Sequence, residues 1–217
     1  MNAVSRYRAV CKICHMDMES FEPITDLTCV RCQARTPLWP WESAMLKDMQ
    51  VGQTMCELGC KQYGSYKKFF QRCGVSHVSI DLNGLGESLA LDLQSPLDVA
   101  AIGGPFDWVT NFGTTEHVED QPAVWANVHR LLKVGGTLVS QTPHPGDWRK
   151  HGRWYPTKLW YQELCDLNGY EIDTMLTACN VPQRLICLKA VKRHDVPFLF
   201  PNEPLYDSEG GKVGAYV

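Results

Sequence analysis

Residues 55–84, MCELGCKQYGSYKKFFQRCGVSHVSIDLNG, decide the fold. Met55 to Leu58 is a short apolar run carrying one carboxylate, Glu57. Gly59 and Gly64 bracket a turn, and glycine lets a ligand approach the backbone closely there. A helix follows, then a second strand from His77 to Ile80, with Asp81 at its carboxyl end. Strand, glycine turn, helix, strand and acid build one half of an open parallel α/β sheet. Such sheets bind ligands outside the carboxyl ends of their strands. Asp81 stands 17 positions after Gly64, close to the ~20-residue offset of the ribose-binding acid in dinucleotide folds. A turn aspartate ahead of Asn83-Gly84 is the plainer explanation of the same residue.

Working downstream, Leu89-Ala-Leu91 gives a third short strand, followed by Asp92 and Leu93. Phe106 to Asn111 gives a fourth, followed by the turn Asn111-Phe-Gly-Thr-Thr115 and by Glu116-His117-Val118. From 121 to 133 the apolar positions Val124, Val128, Leu131 and Leu132 recur at helical spacing. Pro122 suits the first turn of that helix and Gly135-Gly136 its end. Thr137 to Thr142 is the next strand. Thr157 is placed to cap a helix that ends at Gly169. Tyr170 to Met175 and Arg184 to Lys192 are the last two strands.

In this order the segments CELGC with Gly64, SIDLNG, LDLQSP, FDWVTNFGTTEHVED, AVWANVHRLLKVGG and TLVSQTP resemble a class I S-adenosylmethionine-dependent methyltransferase, from about Gly52 to about Lys192. The resemblance implies a Rossmann-like, seven-stranded, mostly parallel sheet with one antiparallel strand. It implies that Glu57, Gly59 and Gly64 meet the methionine end of the cofactor. Asp81 would take the ribose and Leu82 lie on the adenine. Asp92 and Leu93 would meet the adenine edge, and Asn111 belongs to the turn that floors the cofactor. The chain departs from the family at Lys61 and Gln62, where a middle glycine is expected, and Gly64 falls one place late. A longer turn, or a domain that has lost its cofactor, would each produce that departure.

Glu116 and His117 are the candidate catalytic residues. Imidazole titrates near neutral pH and suits a general base, although a histidine at a helix start also serves simply to order a loop. The loop PHPGDWRKHGRWYP, 143–156, is rich in aromatic and basic residues. Similar enzymes place an acceptor-binding insert there. His144, Trp148, His151, Trp154 and Tyr155 are the candidate substrate contacts, with packing as the alternative.

Ten cysteines is a high count for 217 residues. Four form two pairs, Cys11-Lys-Ile-Cys14 and Cys29-Val-Arg-Cys32, with fourteen residues between them. Such pairs supply the four soft ligands of a tetrahedral zinc. The 15–28 segment HMDMESFEPITDLT lacks a core, and a structural zinc contributes about 10 kcal/mol or more to small modules. Residues 1–35 are therefore expected to form a zinc-ribbon-like module, with a protein partner among its uses. Residues 36–50 would be a linker and a lid helix, 51–193 the methyltransferase domain and 194–217 an irregular tail.

The net charge of −3 lacks the basic excess of most nucleic-acid binders. It favours a small-molecule or glycan acceptor over RNA. Within the resembled family, both sugar C-methyltransferases and ribosomal RNA methyltransferases carry N-terminal cysteine modules. No apolar run reaches the ~18 residues of a membrane span, and the first ten residues lack a secretory pattern. The expected location is the cytoplasm, where unpaired cysteines stay reduced.

Overall fold

The computed structural model describes residues 40–60, 65–180, 183–207 and 209–213, together with four short strands upstream. These are β1 (Tyr7–Val10), β2 (Asp17–Ser20), β3 (Thr28–Cys29) and β4 (Ala34–Arg35). β1 pairs with β2 and β3 with β4, both antiparallel. Cys11, Cys14 and Cys32, expected to bind zinc, lie outside the described residues, as does the side chain of Cys29.

Seven strands form the central sheet: β5 (Thr54–Leu58), β6 (Ser76–Asp81), β7 (Leu89–Ala90), β8 (Phe106–Phe112), β9 (Leu132–Pro143), β10 (Tyr170–Asn180) and β11 (Gln183–Lys192). Their spatial order is β10-β11-β9-β8-β5-β6-β7. The pairs from β7 across to β9 are parallel. β11 runs antiparallel to both β9 and β10. The expected mostly parallel, Rossmann-like sheet is therefore present, with its one reversed strand. The chain moves outward from β5 to β7, then returns to the other side of β5 at β8. That reversal opens a crevice at the carboxyl ends of β5 and β8.

Both faces of the sheet are covered, so its strands read as continuous apolar runs. On one face lie α1 (Pro40–Met45) and α2 (Ser65–Arg72), whose Met45, Tyr66 and Phe70 pack with Met55 and Trp108. On the other lie α3 (Gln121–Leu131) and α4 (Lys158–Leu167), whose Val124, Trp125, Val128, Trp160 and Tyr161 pack with Val109 and Leu188. Each large apolar side chain fully withdrawn from water contributes about 1.5–3 kcal/mol. Asp120 caps α3 by accepting from Ala123 N at 2.9 Å, and Thr157 caps α4 by accepting from Trp160 N at 3.1 Å.

Three boundaries differ from the sequence pattern. α3 stops at Leu131, because Leu132 pairs with Phe106 and already belongs to β9. β10 extends to Asn180, since its hairpin partner β11 supplies ladder bonds well past Met175. The helix expected within residues 36–50 spans Pro40–Met45. It docks inward rather than across the crevice: Trp41 Nε1 donates to Gln141 Oε1 at 2.6 Å, and Glu42 accepts from the Tyr66 hydroxyl at 2.6 Å. The described part of the C-terminal tail is packed on the core. Phe198 and Phe200 lie against the α3–α4 core, and Asn168 exchanges two hydrogen bonds with Leu199. β12 (Leu205–Tyr206) pairs with β13 (Lys212–Val213). No described helix is long and apolar enough to cross a membrane.

Candidate active site

The crevice is a cleft of about 520 Å³, within the range of small-molecule sites. Each strand end contributes to it: Gly59 and Cys60 after β5, Asp81 and Leu82 after β6, Asp92 and Leu93 after β7, and Gly113, Thr114 and His117 after β8. Gly59 has φ +78° and donates its N–H to Ile80 O at 2.7 Å. A Cβ there would collide with Thr114 Oγ1, which is itself tied to Leu58 O at 2.7 Å. Only glycine lets the β5 and β8 loops meet at this point.

Asp81 joins two loops. Its Oδ2 accepts from Cys60 N at 3.0 Å and its Oδ1 from Asn83 N at 3.2 Å. A carboxylate has about four lone-pair sites, so capacity for a ligand's hydroxyls remains. Asp92 takes a similar local bond, from Gln94 N at 2.9 Å. Leu82 is 74 % exposed, whereas Leu93 is buried. Gly64 lies outside the described residues.

Two expected cofactor contacts stand behind the wall. Glu57 is fully buried under α2, with His77 Nε2 3.2 Å from its carboxylate. The His77 ring stacks in turn on Phe70 at 5.7 Å. Glu57 does not line the cleft. Asn111 is also fully buried. Its amide donates to Thr115 Oγ1 and Ser140 Oγ, and its carbonyl accepts from Thr114 N and Thr115 N. With its hydrogen-bonding capacity taken up by protein, Asn111 shapes the turn and leaves the lining to Phe112, Gly113 and Thr114.

That turn delivers Glu116 and His117. Glu116 is 1 % exposed, and neither carboxylate oxygen accepts a hydrogen bond among the described residues. His117 Nε2 lies 4.0 Å and His151 Nε2 3.7 Å from its Oε1. The two imidazoles meet edge to face at 4.9 Å. Interaction with the Glu116 carboxylate holds the His151 pKa above its ordinary value, against the opposing effect of burial. The backbone is joined here too, with Arg153 N and Trp154 N both donating to Glu116 O, at 2.7 and 3.2 Å.

The rest of the aromatic loop turns inward. The Tyr155 hydroxyl accepts from Gly152 N and donates to Trp148 O, and Tyr155 is fully buried. Trp148 Nε1 donates to Arg184 O at 2.7 Å, and Trp154 packs on the α3–α4 core. His144 Nδ1 contacts Pro145 O. Arg184 clips the loop through Asp147, whose pKa its guanidinium pulls down to about 2. Of the five expected substrate contacts, the structure brings His151 to Glu116 and His117, and uses Trp148, Trp154 and Tyr155 for packing. The loop residue that lines the cleft is Arg153, ion-paired to Glu119 at 2.8 Å. In the sequence Arg153 stands out only as part of a basic run.

No curated protein matches the chain. Solved structures do. A putative S-adenosylmethionine-dependent methyltransferase from Listeria monocytogenes aligns with a TM-score of 0.53 at 14% identity, over 66% of this chain and 91% of that one. The [4+2]-cyclase SpnF aligns with a TM-score of 0.53 at 13% identity, over 71% and 82%. At such identities the likeness establishes the fold. The model of a family described as a methyltransferase domain matches residues 34–179. Because that match runs through the whole parallel part of the sheet and into β10, the chain belongs to the methyltransferase domain family and is a methyltransferase.

Proposed function

We propose that the protein transfers the methyl group of S-adenosylmethionine to a small-molecule or glycan acceptor. The observation that carries this is the Asp81 carboxylate, set at the β6 end of the cleft with unused acceptor capacity. Asp81 would hold the ribose hydroxyls. The exposed Leu82 offers an apolar surface for the adenine ring, with Asp92 and the Leu93 backbone at its edge. The glycine at 59 and the Gly113-Thr114 backbone leave room for the methionine end. Glu57, behind that wall, adds negative potential for a cationic sulfonium. When bound, S-adenosylmethionine supplies a methyl group already activated by its sulfonium charge.

The protein's own part is alignment, worth about 7–11 kcal/mol in well-oriented reactions. The acceptor is placed beside His117, with Glu116 and His151 behind it as the proposed catalytic group. A small acceptor fits the electrostatics. Arg153 at the cleft is ion-paired to Glu119, and Arg149 lies 3.9 Å from Glu209, so two of the loop's three arginine and lysine charges face a carboxylate. For the N-terminal region we propose a structural zinc held by Cys11, Cys14, Cys29 and Cys32, on the spacing of the two pairs.

Calorimetric titration with S-adenosylhomocysteine tests the cofactor assignment. The wild type should bind. Asp81→Ala should bind at least ~10-fold more weakly, in line with losing a charge-assisted hydrogen bond. An absence of heat from the wild type at millimolar ligand would overturn it.

A further inference from the structure

Glu116, His117 and His151 place three ligand atoms within 4.8 Å of one another at the acceptor side of the cleft. We propose that this group is a binding site for a divalent first-row transition metal such as zinc or iron(II). The placement rests on the methyltransferase assignment above, but the metal site does not require that assignment.

An ordinary glutamate–histidine ion pair closes to hydrogen-bond distance, near 2.8 Å. Here both imidazole nitrogens stand off the same oxygen, at 3.7 and 4.0 Å. A tetrahedral ion with bonds of about 2.1 Å separates its ligands by about 3.4 Å. The gap around Oε1 is therefore close to the size an ion needs. Both histidine side chains are half-exposed, at 42 and 45 %, so rotation of the rings can close the remainder. Glu116 cannot retreat to solvent, and its carboxylate accepts no hydrogen bond among the described residues. A buried carboxylate in that state calls for a cation, and one ion satisfies all three groups together.

The donor set selects the class of metal. Two imidazoles and one carboxylate suit zinc, iron(II), cobalt(II) or manganese(II). Magnesium and calcium prefer all-oxygen shells. Three protein ligands leave at least one position open, and His117 lines the cleft, so that position faces the proposed acceptor. An acceptor oxygen bound there becomes more acidic and gives its proton to water. The oxyanion then forms a bond to the methyl carbon as the carbon–sulfur bond breaks, and that electron pair stays on sulfur as the neutral thioether. In this arrangement His117 and His151 are ligands, and no imidazole base is needed.

The site is also built by the surrounding chain. Gly152 passes so close to Glu116 that a Cβ there would lie 2.8 Å from Glu116 Cγ. The Tyr155 hydroxyl fixes the turn that carries His151.

Cobalt(II) is the probe. Full-length protein freed of metal by chelation is titrated with cobalt(II) chloride, followed by visible absorbance. The same is done for H117Q/H151Q and, separately, for Glu116→Gln. Thiolate-bound cobalt shows intense sulfur charge-transfer bands, so the cysteine pairs report separately. The wild type minus H117Q/H151Q difference should be one equivalent with d–d bands and no sulfur band. Glu116→Gln should weaken that equivalent by at least ~10-fold. The far-ultraviolet circular dichroism spectrum and the urea unfolding midpoint should match the wild type in both variants, which shows that they fold. Equal cobalt uptake by wild type and H117Q/H151Q, or a difference spectrum dominated by sulfur bands, overturns the site. Cobalt binding without any S-adenosylhomocysteine binding would sink the cofactor assignment and leave the metal site standing.

Discussion

Single residues at this cleft carry two kinds of constraint, conformational and electrostatic. Gly59 is the conformational one. Its φ of +78° and its contact with Thr114 mean that Gly59→Ala should lose roughly 1–3 kcal/mol of stability, read by urea unfolding, and should weaken S-adenosylhomocysteine binding. A variant as stable and as tight-binding as the wild type would show that the two loops do not meet there. Asp81 and Glu116 are the electrostatic pair, and the sequence treats them alike, as acids at the ends of motifs. The structure separates them. Asp81 is half-buried with two of its acceptor sites used, whereas Glu116 is buried and faces two imidazoles.

At the level of elements, the turn after β8 and the loop after β9 are each fixed by one buried polar residue. Asn111 makes three hydrogen bonds within the first and a fourth to Ser140 on β9. Asn111→Ala leaves the Thr114 and Thr115 amides unpaired, each worth about 1–3 kcal/mol when buried. We expect a loss of several kcal/mol in chemical denaturation, larger than that for any exposed substitution in the same turn. Tyr155 does the equivalent work in the second loop. Tyr155→Phe removes the hydroxyl's bonds to Gly152 and Trp148 and should cost about 1–2 kcal/mol. It should also weaken the cobalt equivalent, because His151 rides on that turn. Unchanged cobalt affinity in this variant would mean that the turn holds His151 by other contacts. The loop's composition suggests an exposed aromatic surface, yet three of its rings are spent on packing. Periodicity says little about a segment with no regular structure, so that outcome was not legible beforehand.

Over the whole molecule, the C-terminal tail is tied to the core through His129. Its Nε2 contacts Val196 O at 2.9 Å and its Nδ1 the Tyr170 hydroxyl at 3.0 Å, with Lys192 and Asp195 nearby. Burial first, and then the Lys192 charge, lower its pKa below the usual value. The folded state therefore resists a proton that the unfolded chain accepts near pH 6.5. Stability should fall as pH drops below that value, with the slope ending at the lower folded pKa. His129→Gln should remove this component, so the stability difference between wild type and variant should change between about pH 7 and 5; a difference flat over that range would refute the assignment. At the other end of the chain, Cys11→Ser/Cys14→Ser should remove one equivalent of bound zinc, measured by elemental analysis, while S-adenosylhomocysteine still binds. Retention of the full zinc content would exclude those cysteines as ligands.

The sequence by itself determined the sheet. Alternating apolar runs and helical periodicity are local properties, and so are Pro122 at a helix start, the cap at Thr157 and the glycine after the first strand. Together they fix the element order, and element order in an α/β chain fixes where the cleft opens. What only the tertiary structure decided is which side chains reach that cleft. Glu57 and Asn111 are strand-end residues by sequence but are fully buried and do not line it among the described residues, and Arg153 enters it from a loop about 70 residues beyond Asp81. His117 and His151 are 34 positions apart in the chain and meet over one carboxylate. The direction of a side chain depends on what packs against it from elsewhere, and no local pattern carries that information.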